Sequence, residues 1–132
     1  ASRFAAAFMG VENILRGRVV ERSGETAVLA CDGVRLRGVA VRPELAVGDP
    51  GFAAIRAEHL RFVDGGAAGT GMTVRATERI YKGKYSDITL EGPVGPLTAR
   101  LWDTDGAPGD LGRIDWDPAR CIIGPEEDGA MR

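Results

Sequence analysis

A chain of 132 residues with 44% apolar and 27% charged residues has material for one packed core, which excludes a disordered tail. Seventeen Lys and Arg against nineteen Asp and Glu leave a net charge of −2, so no overall pull toward nucleic-acid phosphates or anionic lipid is expected. No run of about 18 apolar residues is present, which excludes a membrane-spanning helix. Charge is mixed along the chain: residues 1–64 carry nine basic and eight acidic groups, residues 65–132 eight and eleven. Nineteen Gly and seven Pro impose frequent turns and favour many short strands over long helices, so an all-β fold is predicted.

The opening ASRFAAAFMG is rich in helix formers, with Ser2 as N-cap and Gly10 at the end, and predicts a short helix over residues 3–9. From Asn13 the pattern changes to strands, at 14–23, 26–32, 34–41, 51–56 and 59–63. The clearest alternation sets Val34, Leu36, Gly38 and Ala40 on one face and Arg35 and Arg37 on the other. Asp32-Gly33 between two such runs signals a tight hairpin. A Gly-rich stretch, DGGAAGTG at 64–71, reads as a linker, after which strands recur at 72–81, 85–91, 95–102, 112–115 and 119–123.

At an offset of sixty, Val28 matches Ile88 and Arg56 matches Trp116, so IRAEHLRFV overlays DWDPARCII. Identity between the halves is poor; the repeat is one of strand spacing and turn placement. Five short strands per half is the spacing of a small barrel of the oligonucleotide/oligosaccharide-binding (OB) type, which predicts two five-stranded OB-like modules, 11–64 and 72–124, packed as one unit. Residues 1–10 and 125–132 read as a leading segment and a frayed tail. Each module is near the lower size limit for a self-sufficient core, so mutual packing or dimerisation should stabilise them.

Signals for chemistry are sparse. No GxxxxGK[ST] phosphate loop occurs, so this chain alone is not expected to hydrolyse ATP. His59 is the single histidine, which argues against a His-based zinc site and leaves a Ser/His/Asp arrangement without alternatives; a surface or structural role is expected for it. Asp103 and Asp105 in DTDG resemble the start of a calcium loop, but Ala107, Pro108 and Gly109 hold the later ligand positions, so an Asp/Gly turn is expected. Asp115 and Asp117 bracket Trp116 and read as a solvated strand face.

Arg16, Arg18, Arg22, Arg35, Arg37 and Arg42 could form a basic patch, but base stacking also needs exposed aromatics, and the first module offers only Phe52 and Phe62, both in apolar contexts. No nucleic-acid partner is therefore expected. Turn N–H groups with one Arg or Lys suffice for a small tetrahedral anion, which keeps an oxyanion or other small ligand open as an alternative function. Cys31 and Cys121 lie in the apolar runs VLAC and CIIG and read as buried, reduced thiols of a reducing compartment.

Four stretches, GVENILRGRV (10–19), AIRAEHLRF (54–62), VRATERIYKGKYSDITLE (74–91) and IDWDPARCII (114–123), occur in an order that resembles the C-terminal transport-associated OB (TOBE) region of bacterial ABC-importer ATPase subunits. Phe8, Gly10 and Asn13 hold the places of the Phe-x-Gly-x-x-Asn junction of that family. Arg56 and Glu58 hold those of Ile-Arg-Pro-Glu-x-Leu, with Ala57 in place of its proline, and Trp116 and Pro118 those of the closing Trp-x-Pro strand. The resemblance implies a noncatalytic regulatory and dimerisation domain, in the polyamine, iron or thiamine group of importers, polyamine favoured. Its partners would be a second copy of itself, an upstream ATPase domain and, indirectly, the transporter's membrane subunits. It implies a cytoplasmic place at the inner membrane, and no catalytic, metal or cofactor site on this chain, ATP and Mg belonging to the ATPase domain. A start at Ala1 fits a fragment of such a subunit as well as simple Met removal. Related molybdate-binding members imply molybdate as the type ligand of the alternative reading.

Overall fold

A computed structural model describes residues 13–63, 71–102 and 111–126, and these contain ten strands. The helix expected at 3–9, Gly10, most of the linker, and Asp103 and Asp105 lie outside the described residues. In the first half, β1 (Asn13–Ser23) pairs antiparallel with both β2 (Thr26–Cys31) and β4 (Pro50–Ile55), and β2 pairs with β3 (Val34–Ala40). Asp32 and Gly33 turn β2 into β3 with φ of 48° and 84°, the two left-handed residues that a two-residue hairpin of matching twist needs. The second half repeats the plan. There β6 (Met72–Tyr81) pairs with β7 (Tyr85–Gly92) and β9 (Leu111–Asp115), and β7 pairs with β8 (Gly95–Trp102). Even the irregularity recurs: β1 breaks register against β2 between Val19 and Glu21, and β6 against β7 between Ala76 and Glu78.

The division into two contiguous modules, 11–64 and 72–124, needs correction at the last strand of each. A 3-10 turn at Ala57–His59 leads into β5 (Arg61–Val63), which leaves the first half and pairs with β9. A matching turn at Pro118–Arg120 leads into β10 (Cys121–Pro125), which pairs antiparallel with β4 and parallel with β3 and closes the barrel in the order β1-β2-β3-β10-β4. The second unit is a five-stranded sheet in the order β5-β9-β6-β7-β8, with no pairing between β5 and β8. Alternation predicts that a segment is a strand; which sheet it joins depends on where its backbone can approach. A Cβ on Gly38 would lie 2.5 Å from the Cys121 carbonyl oxygen, so glycine on β3 is what admits β10 there. Pro125, expected in the tail, ends β10 opposite Gly51, and the Glu126 N–H donates to the Pro50 carbonyl at 3.2 Å.

One continuous apolar cluster joins the halves. It runs from Leu15, Leu29, Leu36 and Ile55 in the barrel to Val74, Ile88, Leu90 and Ile114 in the second sheet, all buried. Asn13 is the polar side chain buried at this seam, 3% exposed. Its Nδ2 donates to the Thr98 carbonyl and its Oδ1 accepts from the Thr98 N–H, both at 2.8 Å. The carboxamide thus takes a strand's place on the edge of β8 and satisfies both backbone groups there.

Cys31 and Cys121 are both free and buried, as expected. Burial, then the Asp32 charge and hydrogen bond, raise the Cys31 thiol above its ordinary range, and burial pushes Cys121 up to about 12. Native protein at pH 8 should therefore leave both thiols unlabelled by Ellman's reagent, and denaturant should expose them. The Cys121 contribution to stability is full below its ordinary value of 9.0 and falls as pH rises from there toward about 12, so melting temperature should drop across that alkaline window.

Asn13→Ala leaves the Thr98 edge groups unpaired and should lower urea-unfolding stability by about 2 kcal/mol. Gly38→Ala forces β10 from β3 and should cost about 1–3 kcal/mol in the same assay.

Candidate functional site

The two 3-10 turns are the points where the halves grip each other. In the first, the His59 N–H donates to the Arg56 carbonyl at 2.9 Å, and the turn packs on β8 beside the Asn13 contact. Arg56 Nε meets Glu58 Oε1 at 3.2 Å on the outside of this turn. Burial opposes ionisation of Glu58, but its own backbone N–H together with the Arg56 and His59 charges outweigh it and hold the carboxyl below its ordinary range. His59 is half-buried, and its Nδ1 has no hydrogen-bond partner among the described residues. The resemblance-derived positions Asn13, Arg56 and Glu58 thus lie together on the β8 side of the seam, in a structural setting.

On the second turn, Asp117 Oδ1 accepts from the Ala119 N–H at 3.0 Å, and Pro118 opens the turn with a backbone N that has no hydrogen to leave unpaired. The turn packs on β3. Trp116 is buried, and its indole Nε1–H donates to the Arg37 carbonyl at 3.0 Å, across 79 residues of chain. Trp116 and Pro118 are thus the counterparts, on the barrel side, of the first grip. Asp115 does not stand free on a solvated face: it is half-buried, and its Oδ1 accepts from the Trp116 N–H at 2.8 Å.

Between β3 and this second turn opens a cleft of about 180 Å³, lined by Val28, Arg35, Arg37, Asp115, Trp116 and Pro118. Val28 pairs with Arg37 on the outer face of the barrel, yet is only 2% exposed. It supplies an apolar lining beneath two guanidinium-bearing residues. A shallower groove shares Arg35 and runs on past Thr73 and Arg113.

The arginines that could have formed a basic patch are dispersed. Arg16 pairs with Glu126 at 2.9 Å, Arg35 with Glu21, and Arg42 with Glu44 at 3.9 Å. Arg18 and Arg22 donate to backbone carbonyls of Gly48, Gly24, Arg42 and Leu45. The Arg37 guanidinium, by contrast, has no hydrogen bond or ion pair among the described residues. Phe52 is fully buried and Phe62 packs against the core, so neither is a stacking platform. In the sequence Arg37 is one of six similar arginines; the cleft depends on the β9–β10 crossing, which strand spacing does not reveal.

Among the described residues there is no group of three His, Cys, Asp or Glu placed to hold a metal ion, and no helix long and apolar enough to cross a membrane. A family model described as the TOBE domain matches residues 53–123. The chain is 36% identical over 132 aligned residues to the spermidine/putrescine import ATP-binding protein PotA of Rubrobacter xylanophilus, covering 93% of this chain and 34% of that protein. It therefore spans about a third of the length of the curated relative it matches. Among solved structures, the cytoplasmic molybdate-binding protein ModG, with molybdate bound, superposes with a TM-score of 0.68 at 19% identity, over 87% of this chain and 96% of that one. That likeness is one of fold: an all-β body with a closed five-stranded OB-type barrel and a second sheet. With the family model extending from β4 into β10 and the four ordered motifs in place, the chain belongs to the TOBE domain family.

Proposed function

We propose that this chain is the noncatalytic regulatory and dimerisation module of an ABC-importer ATPase subunit, acting as a rigid spacer while an attached ATPase domain binds ATP and Mg and turns over. The observation that carries the reading is the 36% identity, over nearly the whole chain, to a spermidine/putrescine import ATP-binding protein. That relative's name also favours a polyamine-type solute for the parent transporter. On this reading the partners are the ATPase domain, a second copy of this chain and, through the complex, the membrane subunits, which gives a cytoplasmic place at the inner membrane.

The architecture suits such a task. One apolar cluster shared by two sheets, closed by crossing strands, transmits force without deforming easily. Ile80 and Tyr81, 46% and 64% exposed at one end of β6, offer a second copy apolar surface to cover.

Sedimentation-velocity runs over a dilution series should show a concentration-dependent dimer, and a coupled phosphate-release assay should show no ATP turnover by this chain. A monomer at every concentration contradicts the dimerisation half of the proposal; turnover contradicts the noncatalytic half.

A further inference from the structure

We infer that the cleft between β3 and the Pro118–Arg120 turn binds a small organic anion, a carboxylate or a phosphate ester, with Arg37 as the residue that holds it. Neither the transported solute nor the dimer contact requires such a site, and the cleft lies within one chain, so the inference stands or falls apart from the function proposed above.

Four features of the cleft converge on this ligand class. Its volume of about 180 Å³ far exceeds the space for one water, roughly 10–15 Å³, and falls short of the roughly 300 Å³ at which drug-sized pockets begin. Arg37 brings a guanidinium that no described side chain engages, at a wall where the other charged groups are already committed: Arg35 to Glu21, and Asp115 to the Trp116 N–H. A planar guanidinium fork matches two oxygens of a carboxylate or phosphate, and such charge-assisted pairs are stronger than neutral ones. The Trp116 indole ties down the Arg37 carbonyl at 3.0 Å, which fixes the backbone from which that side chain reaches. Val28 and Pro118 supply an apolar lining for the body of the ligand.

Charge also sets what the cleft refuses. A di- or triamine could not use the Arg37 fork and would meet its unengaged positive charge, Arg35 being balanced by Glu21 and Asp115 being hydrogen-bonded to the Trp116 N–H. The cleft is accordingly a place for an anionic signal and not for a polycation.

Two-dimensional NMR titration of the intact chain tests this, reading the Trp116 indole N–H and the Arg37 Nε–H signals. Probes are lactate, glycerol 3-phosphate and inorganic phosphate, with spermidine as the cation. The expected result is saturable movement of both signals with lactate or glycerol 3-phosphate, weaker movement with inorganic phosphate, which has no apolar body, and none with spermidine. Arg37→Ala should weaken binding roughly tenfold or more while leaving the remaining spectrum in place, and Arg37→Lys, which keeps charge without the fork, should fall between. No saturable movement with any anion overturns the inference. So does binding that survives Arg37→Ala, or a spermidine response equal to that of the anions.

Discussion

Each half of this protein builds four strands of a five-stranded sheet, closed into a barrel in the first unit, and then sends its fifth to the other half. The crossing at Ile55–Arg61 carries β5 to β9, and the crossing at Asp115–Cys121 carries β10 between β3 and β4. Neither sheet has all its strands without the other half of the chain. Two consequences are local. Gly38 has to lack a side chain where β10 arrives, and Asn13 supplies the amide that pairs the β8 edge at Thr98. A third is global: the apolar cluster runs through both sheets, so opening one unit exposes the core of the other.

The same crossings create the surface features. Each begins with a 3-10 turn held by the same bond, the N–H of the turn's last residue to the carbonyl three back: His59 to Arg56 in one case, Arg120 to Asp117 in the other. The first turn docks on β8 and the second on β3, so Ala57 and Pro118, the first residues of the two turns, mark equivalent places in a doubled design. The cleft at Arg37 forms where the second turn leaves β9 and passes over the outer face of the barrel. The cleft and the second crossing thus share the Trp116 to Arg37 contact.

Strand positions were legible because alternation and turn chemistry act locally. Leu29 opposite Leu36 on the inner face, and Asp32-Gly33 in the left-handed region, are decided within a few residues. The doubled order was legible for the same reason, since spacing between turns repeats. Strand partnership was not, because β5 and β10 read alike whichever sheet receives them, and the deciding features, Gly38 beside Cys121 and Phe62 under Gly112, are contacts between residues far apart in the chain. The arginines show the same limit. Six of them look alike in sequence, and only the fold separates those engaged by Glu21, Glu44, Glu126 and loop carbonyls from Arg37, whose guanidinium none of these groups reaches.

The central claim is that the exchanged strands make the two sheets one cooperative body. Equilibrium urea unfolding followed by two reporters tests it most directly: Cys121 labelling for the closing strand of the barrel, and Trp102 fluorescence in a Trp116→Phe background for the second sheet. The account predicts coincident transitions with one midpoint and one slope. Two separated transitions, with the second sheet persisting after Cys121 is exposed, would contradict it.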